Sequence, residues 1–522
     1  MAGPSYSVDK AQAMIVEPLA AVDWLVIAPV ALPLAGGALC LVLRSRGALQ
    51  AKLTILIMGL LVLLNAGLFG KVATDGPMIM AMGNWLPPFA IVFAVDILGA
   101  LLALTTAVVG LVGAIYASAD IDIGRRRFGF YTFYLLLITG VSGAFLTGDI
   151  FNLYVWFEVL LIASFGLLIL GGERAQLDGA VKYGVLNLLA TTFFLIAVGL
   201  LYGLVGTLNM ADIALSLQTL SPEAPIAAIT VLFFVAFAMK AAAFPLNFWL
   251  PAAYHTPRIV VAAVFAGLLT KVGVYALLRV FVMLLPASHV DLSTVILWVG
   301  VLTMFVGAFG ALAQTEVRRL LGFVVIGGIG NMLVGIAIGS EGALAGTVFY
   351  AVHSILVMTA LYFAAGGMER IAGSSSLHSA SGLYRADPMF AALFLVLAFA
   401  VSGLPPFSGF WPKVMLVRAS VAADVGWAAG AILFTGLLTT IAMARIWLLA
   451  FWREATQEAP IRVANVDGDN RSAWLGPIAI LAAIIFVLGV LPEGIMSASL
   501  AGAEALLDPA SYVETVLGEG GR

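Results

Sequence analysis

Long apolar blocks, broken by short polar or basic interruptions, set the pattern of this chain. A helix crossing the hydrocarbon of a bilayer needs about 20 predominantly apolar residues. Fourteen stretches meet that requirement: Trp24–Leu43, Leu53–Gly70, Asp96–Ala117, Phe128–Leu146, Ile150–Leu170, Ala180–Val205, Ile226–Leu250, Ile259–Leu285, Ser293–Gln314, Leu320–Ile338, Gly342–Gly366, Met389–Val421, Val425–Trp452 and Trp474–Leu491. The pattern predicts an all-α polytopic membrane protein of about fourteen transmembrane helices. Pro77–Val95, with Trp85-Leu86-Pro87-Pro88, reads as a structured turn or hairpin outside the membrane.

Two of these helices contain breaks. Phe244-Pro245-Leu246-Asn247-Phe248-Trp249-Leu250-Pro251 interrupts the seventh, and Leu404-Pro405-Pro406-Phe407-Ser408-Gly409-Phe410-Trp411-Pro412 interrupts the twelfth. Proline cannot donate the backbone hydrogen bond that continues a helix. In lipid such a break is tolerated only where protein or a wet cavity satisfies the freed groups. A lysine accompanies each break, Lys240 before Pro245 and Lys413 after Pro405. The breaks lie five helices apart, and an odd spacing reverses direction. Helices 4–8 and 9–13 therefore read as inverted five-helix repeats, and paired interruptions of this kind point to a transporter's ion path. The chain then divides into residues 1–127 with the first three helices, 128–285 and 293–452 as the two repeats, and 453–522 with a loop, the last helix and a short tail.

Composition agrees with the membrane reading: 62% of residues are hydrophobic and 10% charged, against about 25% charged in soluble domains. Abundant glycine suits closely packed membrane helices. The net charge of −3 gives no reason to expect nucleic acid. With the N-terminus outside, sixteen Lys and Arg fall in inner loops, five outside (Lys10, Lys71, Arg279, Arg418, Arg522) and four within helices (Lys240, Lys271, Lys413, Arg445). That bias follows the positive-inside rule and puts both termini outside. Met1–Ala13 lacks the basic start of a secretory signal and reads as a short tail, with Met14 as an alternative start. Cys40 is the only cysteine, and His255, His289, His353 and His378 are widely spaced, so no disulfide, iron–sulfur or zinc framework is expected. No phosphate-binding loop motif occurs, and no cofactor is expected.

The chemistry resides in the few ionisable residues at membrane depth. A charge there costs about 2.5–3.5 kcal/mol or more, so it is read as functional. Glu158 lies about 12 Å into the fifth helix and Lys240 about 21 Å into the seventh, at the helical rise per residue. Each is the other's natural counter-charge; a static packing pair is the plainer alternative, but apolar residues would pack as well without the desolvation penalty. Lys271, about 18 Å into the eighth helix, has no carboxylate on its own helix and suits a proton relay. Lys413 should lie nearer the outer surface, where snorkelling is the alternative. His353, the histidine within a predicted span, reads either as a proton carrier between Lys271 and Lys413 or as a packing residue. Asp149 and Lys182 sit at helix ends, Lys182 as an interfacial anchor or a modulator of the Glu158 region. Arg445 is too basic to exchange protons and reads as an anchor of the thirteenth helix.

Three stretches resemble a known family: Phe151-Asn152-Leu153-Tyr154-Val155-Trp156-Phe157-Glu158, the Lys240 segment with Pro245 and Trp249-Leu250-Pro251, and Ala263-Val264-Phe265-Ala266-Gly267-Leu268-Leu269-Thr270-Lys271-Val272-Gly273-Val274-Tyr275. They are similar to the antiporter-like subunits of Mrp-type cation/proton antiporters, respiratory complex I and membrane-bound hydrogenases. The resemblance covers nearly the whole chain and is greatest to the D-subunit branch of Mrp-type Na+(K+)/H+ antiporters. Lys413 favours that branch over the complex I M branch, which has a glutamate in the twelfth helix. The length argues against the larger Mrp A branch, and the short segment after the last span leaves no counterpart of the lateral helix of the complex I L branch. The resemblance implies a hetero-oligomeric inner-membrane complex moving H+ and a monovalent cation. It also implies that Glu158 and Lys240 form a coupling pair, that Lys271 is the central proton site, and that Lys413 passes protons outward. A proton-pumping subunit of a redox complex, and a membrane scaffold that moves no ions, are the other readings. The chain departs from the family at the tenth helix, where Val324 replaces a histidine and Gly327-Gly328 a Ser-Gln pair, and at Met358, where a lysine is usual.

Overall fold

A computed structural model describes residues 20–221, 224–454 and 471–518. The N-terminal tail, Lys10, Arg462 and Arg522 lie outside the described residues. Every apolar stretch is helical. The helices are α1 (Trp24–Val42), α2 (Gly47–Asp75), α3 (Ile97–Asp120), α4 (Phe130–Leu146), α5 (Ile150–Ile169), α6 (Arg174–Val205), α7a (Ile226–Ala241) with α7b (Trp249–Tyr254), α8 (Ile259–Leu277), α9 (Pro286–Ala313), α10 (Val317–Ile338), α11 (Glu341–Ala372), α12a (Pro388–Ser402) with α12b (Phe410–Ala422), α13 (Gly426–Ile446) and α14 (Arg471–Val490). Among the described residues, eleven helices are long and apolar enough to cross a membrane, and α4, α7a and α12a are shorter apolar helices.

Acidic caps start several of these helices. Side chains of Asp96, Asp149, Glu316 and Asp387 accept backbone N–H groups at the starts of α3, α5, α10 and α12a, satisfying donors the helix itself leaves free. The segment before α3 is a hairpin, with β1 (Met78–Ala81) antiparallel to β2 (Val92–Val95) and Met78 opposite Val95.

Helices α8 and α11 are buried all round, as helices apolar on every face must be. They pack side by side and form the axis of the molecule, while α2, α6 and α13 lie at the periphery. Glycines allow close approach where α9 crosses α10: Gly307 lies against Gly327, and Gly300 against Gly330. The two five-helix groups share a sequence of features. In each, the acidic cap of the second helix (Asp149, Glu316) pairs across a short β-bridge with the loop after the third (Asn209, Ser376). The fourth helix is broken, and the fifth ends in a wider π-helical turn, Leu278–Leu284 after α8 and Trp447–Trp452 after α13.

Two expectations change. Arg279, assigned from its position at a helix end to the outer loops, is 1% exposed and forms a 2.7 Å ion pair with Asp96. A guanidinium so buried needs a desolvated partner, and only the fold brings Asp96 there. The segment after α14, expected as a tail, forms α15 (Glu493–Leu507) and α16 (Ala510–Leu517). α15 packs on α3 and α11, and Tyr512 of α16 stacks over Arg279 at 5.4 Å.

Candidate ion-translocation site

The first break begins where α7a ends. Ala242 adopts a left-handed conformation (φ 61°, ψ 45°). The amides of Ala242 and Ala243 fold back onto the carbonyls of Met239 and Ala238, a Schellman closure. The Phe244–Pro245 peptide is cis. The freed groups find protein partners: the Trp249 indole donates to Met239 O at 3.1 Å, and the Phe244 amide donates to Thr303 Oγ1 of α9 at 2.9 Å. The Lys240–Ala241 peptide abuts Gly273 of α8, where a Cβ would come within 2.8 Å of the Ala241 nitrogen.

Lys240 is 2% exposed, and its Nζ has no hydrogen-bond partner among the described residues. The ammonium lies 5.4 Å from the centre of the Phe157 ring, a cation–π contact that partly replaces water. Glu158, the next residue on α5, does not reach it as an ion pair, but it is the charge that acts on it. Glu158 itself is half-buried on the flank of α5, close to Tyr154 one turn back.

Lys271 lies on α8 and is 1% exposed. Among the described residues no carboxylate pairs with it; its Nζ donates to Ala266 O of its own helix at 2.8 Å. His353 faces it from α11, 2% exposed, with Nδ1 at 2.8 Å from Ser408 Oγ in the second break. His353 is within electrostatic reach of both Lys271 and Lys413.

The second break repeats the backbone device of the first. Gly403 is left-handed (φ 81°), the amides of Gly403 and Leu404 fold back onto Ala400 and Phe399, and Pro405–Pro406 is cis. Here the lysine comes from the far side. Lys413 Nζ, on α12b, donates to Ser402 O at 2.7 Å and lies 3.5 Å from Val401 O. The side chain reaches back to the helix end.

The supporting residues separate. Asp149 is buried, with a carboxylate oxygen accepting from the Asn152 amide at 2.7 Å. Lys182 is exposed and pairs with Asp178 at 2.6 Å, one turn away. Arg445 donates to Leu312 O at the end of α9, the anchoring role expected of it. Val324, Gly327 and Gly328 line a cavity of about 20 Å³ together with Asn331, Tyr350 and Lys413; Met358 is packed in the core. Sequence reasoning misses Ser408, Asn331 and the Asp96–Arg279 pair. Nothing in the local sequence marks a serine or asparagine as the partner of a residue dozens of positions away. Asp96 and Arg279 each carry a signal, a charge beside an apolar block, but along the chain it reads as a helix end.

The family model described as NADH:quinone oxidoreductase/Mrp antiporter, transmembrane, matches residues 147–439. The chain is 38% identical to the D-subunit of the Na(+)/H(+) antiporter of Alkalihalophilus pseudofirmus, over 95% of this chain and 99% of that one. It is 34% identical to the corresponding Na(+)/H(+) antiporter D-subunit of Bacillus subtilis, again over 95% and 99%. Its fold is similar to a chain of the Mrp complex from a Dietzia species (TM-score 0.88, 29% identity, covering 96% of this chain and 100% of that one). It is also similar to a chain of respiratory complex I from Thermus thermophilus (TM-score 0.79, 26% identity, covering 93% and 100%). The resemblance carried by the Glu158, Lys240 and Lys271 stretches thus extends along almost the entire sequence, and the chain belongs to the NADH:quinone oxidoreductase/Mrp antiporter transmembrane family.

Proposed function

We propose that this chain is the proton-translocating subunit of a multisubunit monovalent cation/proton antiporter of the Mrp type, and not a catalytic enzyme. The observation that carries the reading is the row of buried bases at the core. Lys240, Lys271 and His353 are each at most 2% exposed, and none is in ion-pair contact with a carboxylate among the described residues. Unpaired cationic groups at membrane depth are costly to keep for packing alone. Glu158 and Lys240 form the coupling pair, open in this conformation, with Glu158 on a flank that a neighbouring subunit would cover. Lys271 holds the proton at the centre, His353 bridges toward the second break, and Lys413 passes it outward; Asp149, Pro245 and Pro405 support the geometry. The two five-helix groups act as inverted repeats, supported by matching acidic caps and bridges at Asp149 and Glu316. The complex resides in the cell's inner membrane with both termini outside, and exchanges H+ against Na+ or K+.

Glu158→Ala and Lys240→Ala should each abolish cation-dependent proton flux in membrane vesicles while the complex still assembles; wild-type flux in both would defeat the coupling-pair assignment. The second reading, a subunit of a redox-driven pump, draws on the similarity to the Thermus thermophilus complex I chain. A mild-detergent pull-down with mass spectrometry separates the two. Small hydrophobic antiporter subunits are expected; iron–sulfur or quinone-reducing partners would favour the redox reading.

A further inference from the structure

The second break gathers two free backbone carbonyls around one ammonium. At the end of α12a the backbone closure consumes the carbonyls of Phe399 and Ala400, and leaves those of Val401 and Ser402 projecting from the negative end of the helix. Both point to the Lys413 ammonium, Ser402 O at 2.7 Å and Val401 O at 3.5 Å. Carbonyl ends of half-helices beside an unwound segment are the groups with which a membrane protein holds a partly dehydrated monovalent ion. The ammonium of Lys413 is such an ion on a tether.

The surroundings have room for a free one. Lys413 and Val401 line the cavity of about 20 Å³ that Gly327, Gly328 and Gly436 open, space for one water-sized guest. Asn331 lines it too. That residue is 6% exposed; its amide group donates to Gly327 O at 3.0 Å, and its Oδ1 has no partner among the described residues. An unmet buried acceptor is rare in native proteins and calls for an explanation. Thr435 and Thr439 of α13 complete a polar wall without a carboxylate. The donor set is neutral oxygen, which suits a hard cation of single charge.

We propose that the Val401 and Ser402 carbonyls with Asn331 Oδ1 form a monovalent-cation site for which the Lys413 ammonium and a free Na+ or K+ compete. While Lys413 is protonated, its own ammonium fills the site. When it releases its proton, the neutral amine no longer holds the carbonyls, and one cation enters. One proton leaves for each cation bound, and the net charge of the site stays at one. The groups facing Lys413 are His353 and Tyr350 of α11 and, through His353, Lys271 of α8. Among the described residues, α9, α10 and α13 bring no charged or titratable side chain to the cavity; their polar side chains there are Asn331, Thr435 and Thr439. The inference rests on Lys413 being a proton site, as proposed above.

The test is equilibrium binding of radiolabelled rubidium (for K+) and sodium to the purified, intact complex, with no gradient imposed. In wild type, cation binding at this site should rise with pH and release one proton per ion. Lys413→Ala should raise the affinity about tenfold or more at neutral pH and remove the pH dependence, because no tethered competitor remains. Adding Asn331→Leu to that variant should abolish the gain. Lys413→Arg, which keeps its charge, should bind no ion there at any pH. Equal binding by Lys413→Ala, by its Asn331→Leu double variant and by wild type would overturn the site. If Lys413→Ala does not assemble, pH-dependent binding that persists unchanged in Lys413→Arg overturns it instead. Proton flux in the same Lys413→Ala preparation tests the relay separately: wild-type flux there defeats the relay, whatever the binding result.

Discussion

The two helix breaks use one backbone device to opposite electrostatic ends. Each closes with a left-handed residue, Ala242 or Gly403, and each folds two amides back onto the last turn. At the first break the lysine precedes the closure, and the carbonyl end is occupied by packing, with Gly273 of α8 against it. Lys240 is left with a phenyl ring and the field of a distant Glu158. At the second break the lysine follows the closure and reaches back, so the helix end supplies its oxygens. In register with the closure, Val401 stands where Lys240 stands. A broken helix thus does not by itself decide what a nearby charge experiences. The side of the break from which the charge comes decides it. The first lysine has a ring and the field of Glu158 around it, whereas the second meets carbonyls across the break of its own interrupted helix.

Removing the counter-charge should break the first half of that comparison hardest. Beyond the loss of flux already expected of Glu158→Ala, Glu158→Gln should also abolish cation-dependent proton uptake by vesicles, because it deletes the charge that acts on Lys240 and keeps the volume. Next in size is the control on the α8 segment, which carries one cation with a carboxylate and one without. Asp96→Ala strands Arg279, and breaking a buried pair in this way costs about 3–5 kcal/mol. A sharp fall in the melting temperature of the complex is expected, whereas Lys271→Met should melt at or above wild type and lose only flux.

Smaller effects sharpen the contrast at the closures themselves. Gly403→Ala places a side chain in the left-handed region, at about 1–2 kcal/mol, and its Cβ would lie 2.5 Å from Lys413 Cδ. It should displace the ammonium and reduce flux while the complex still assembles. The matching change, Ala242→Gly, relieves the same backbone conflict and should stabilise by less than about 1 kcal/mol. The smallest effect belongs to Lys182→Ala. An exposed pair such as Lys182–Asp178 contributes about 0–1 kcal/mol, so flux and melting should both stay near wild type; a large loss would place Lys182 in a subunit contact.

Much of this is legible along the chain. The helices, the hairpin near Trp85 and both breaks follow from local rules, since lipid penalises each polar residue individually and proline each lost hydrogen bond. The same penalty singles out Lys240, Lys271 and Lys413. Partners are harder to read. Charge matches Glu158 with Lys240, yet Phe157 is what the ammonium touches. Depth matches His353 with two lysines, but Ser408 is the group that orients its ring. The Gly327-Gly328 pair reads as a loss of polar groups, and in the fold it is room beside Lys413.

The sequence alone determined that this chain lies in a membrane, where its fourteen apolar helices fall and that Lys240, Lys271 and Lys413 stand within them. These follow from transfer free energies, which depend on each residue's own chemistry. Only the tertiary structure decided what those charges meet, a carbonyl for Lys271, a helix end for Lys413 and a ring for Lys240, and that Arg279 is buried against a carboxylate. Interaction energy at such short range depends on distance and on the loss of water, and both are set by helices far apart in the chain that packing brings together.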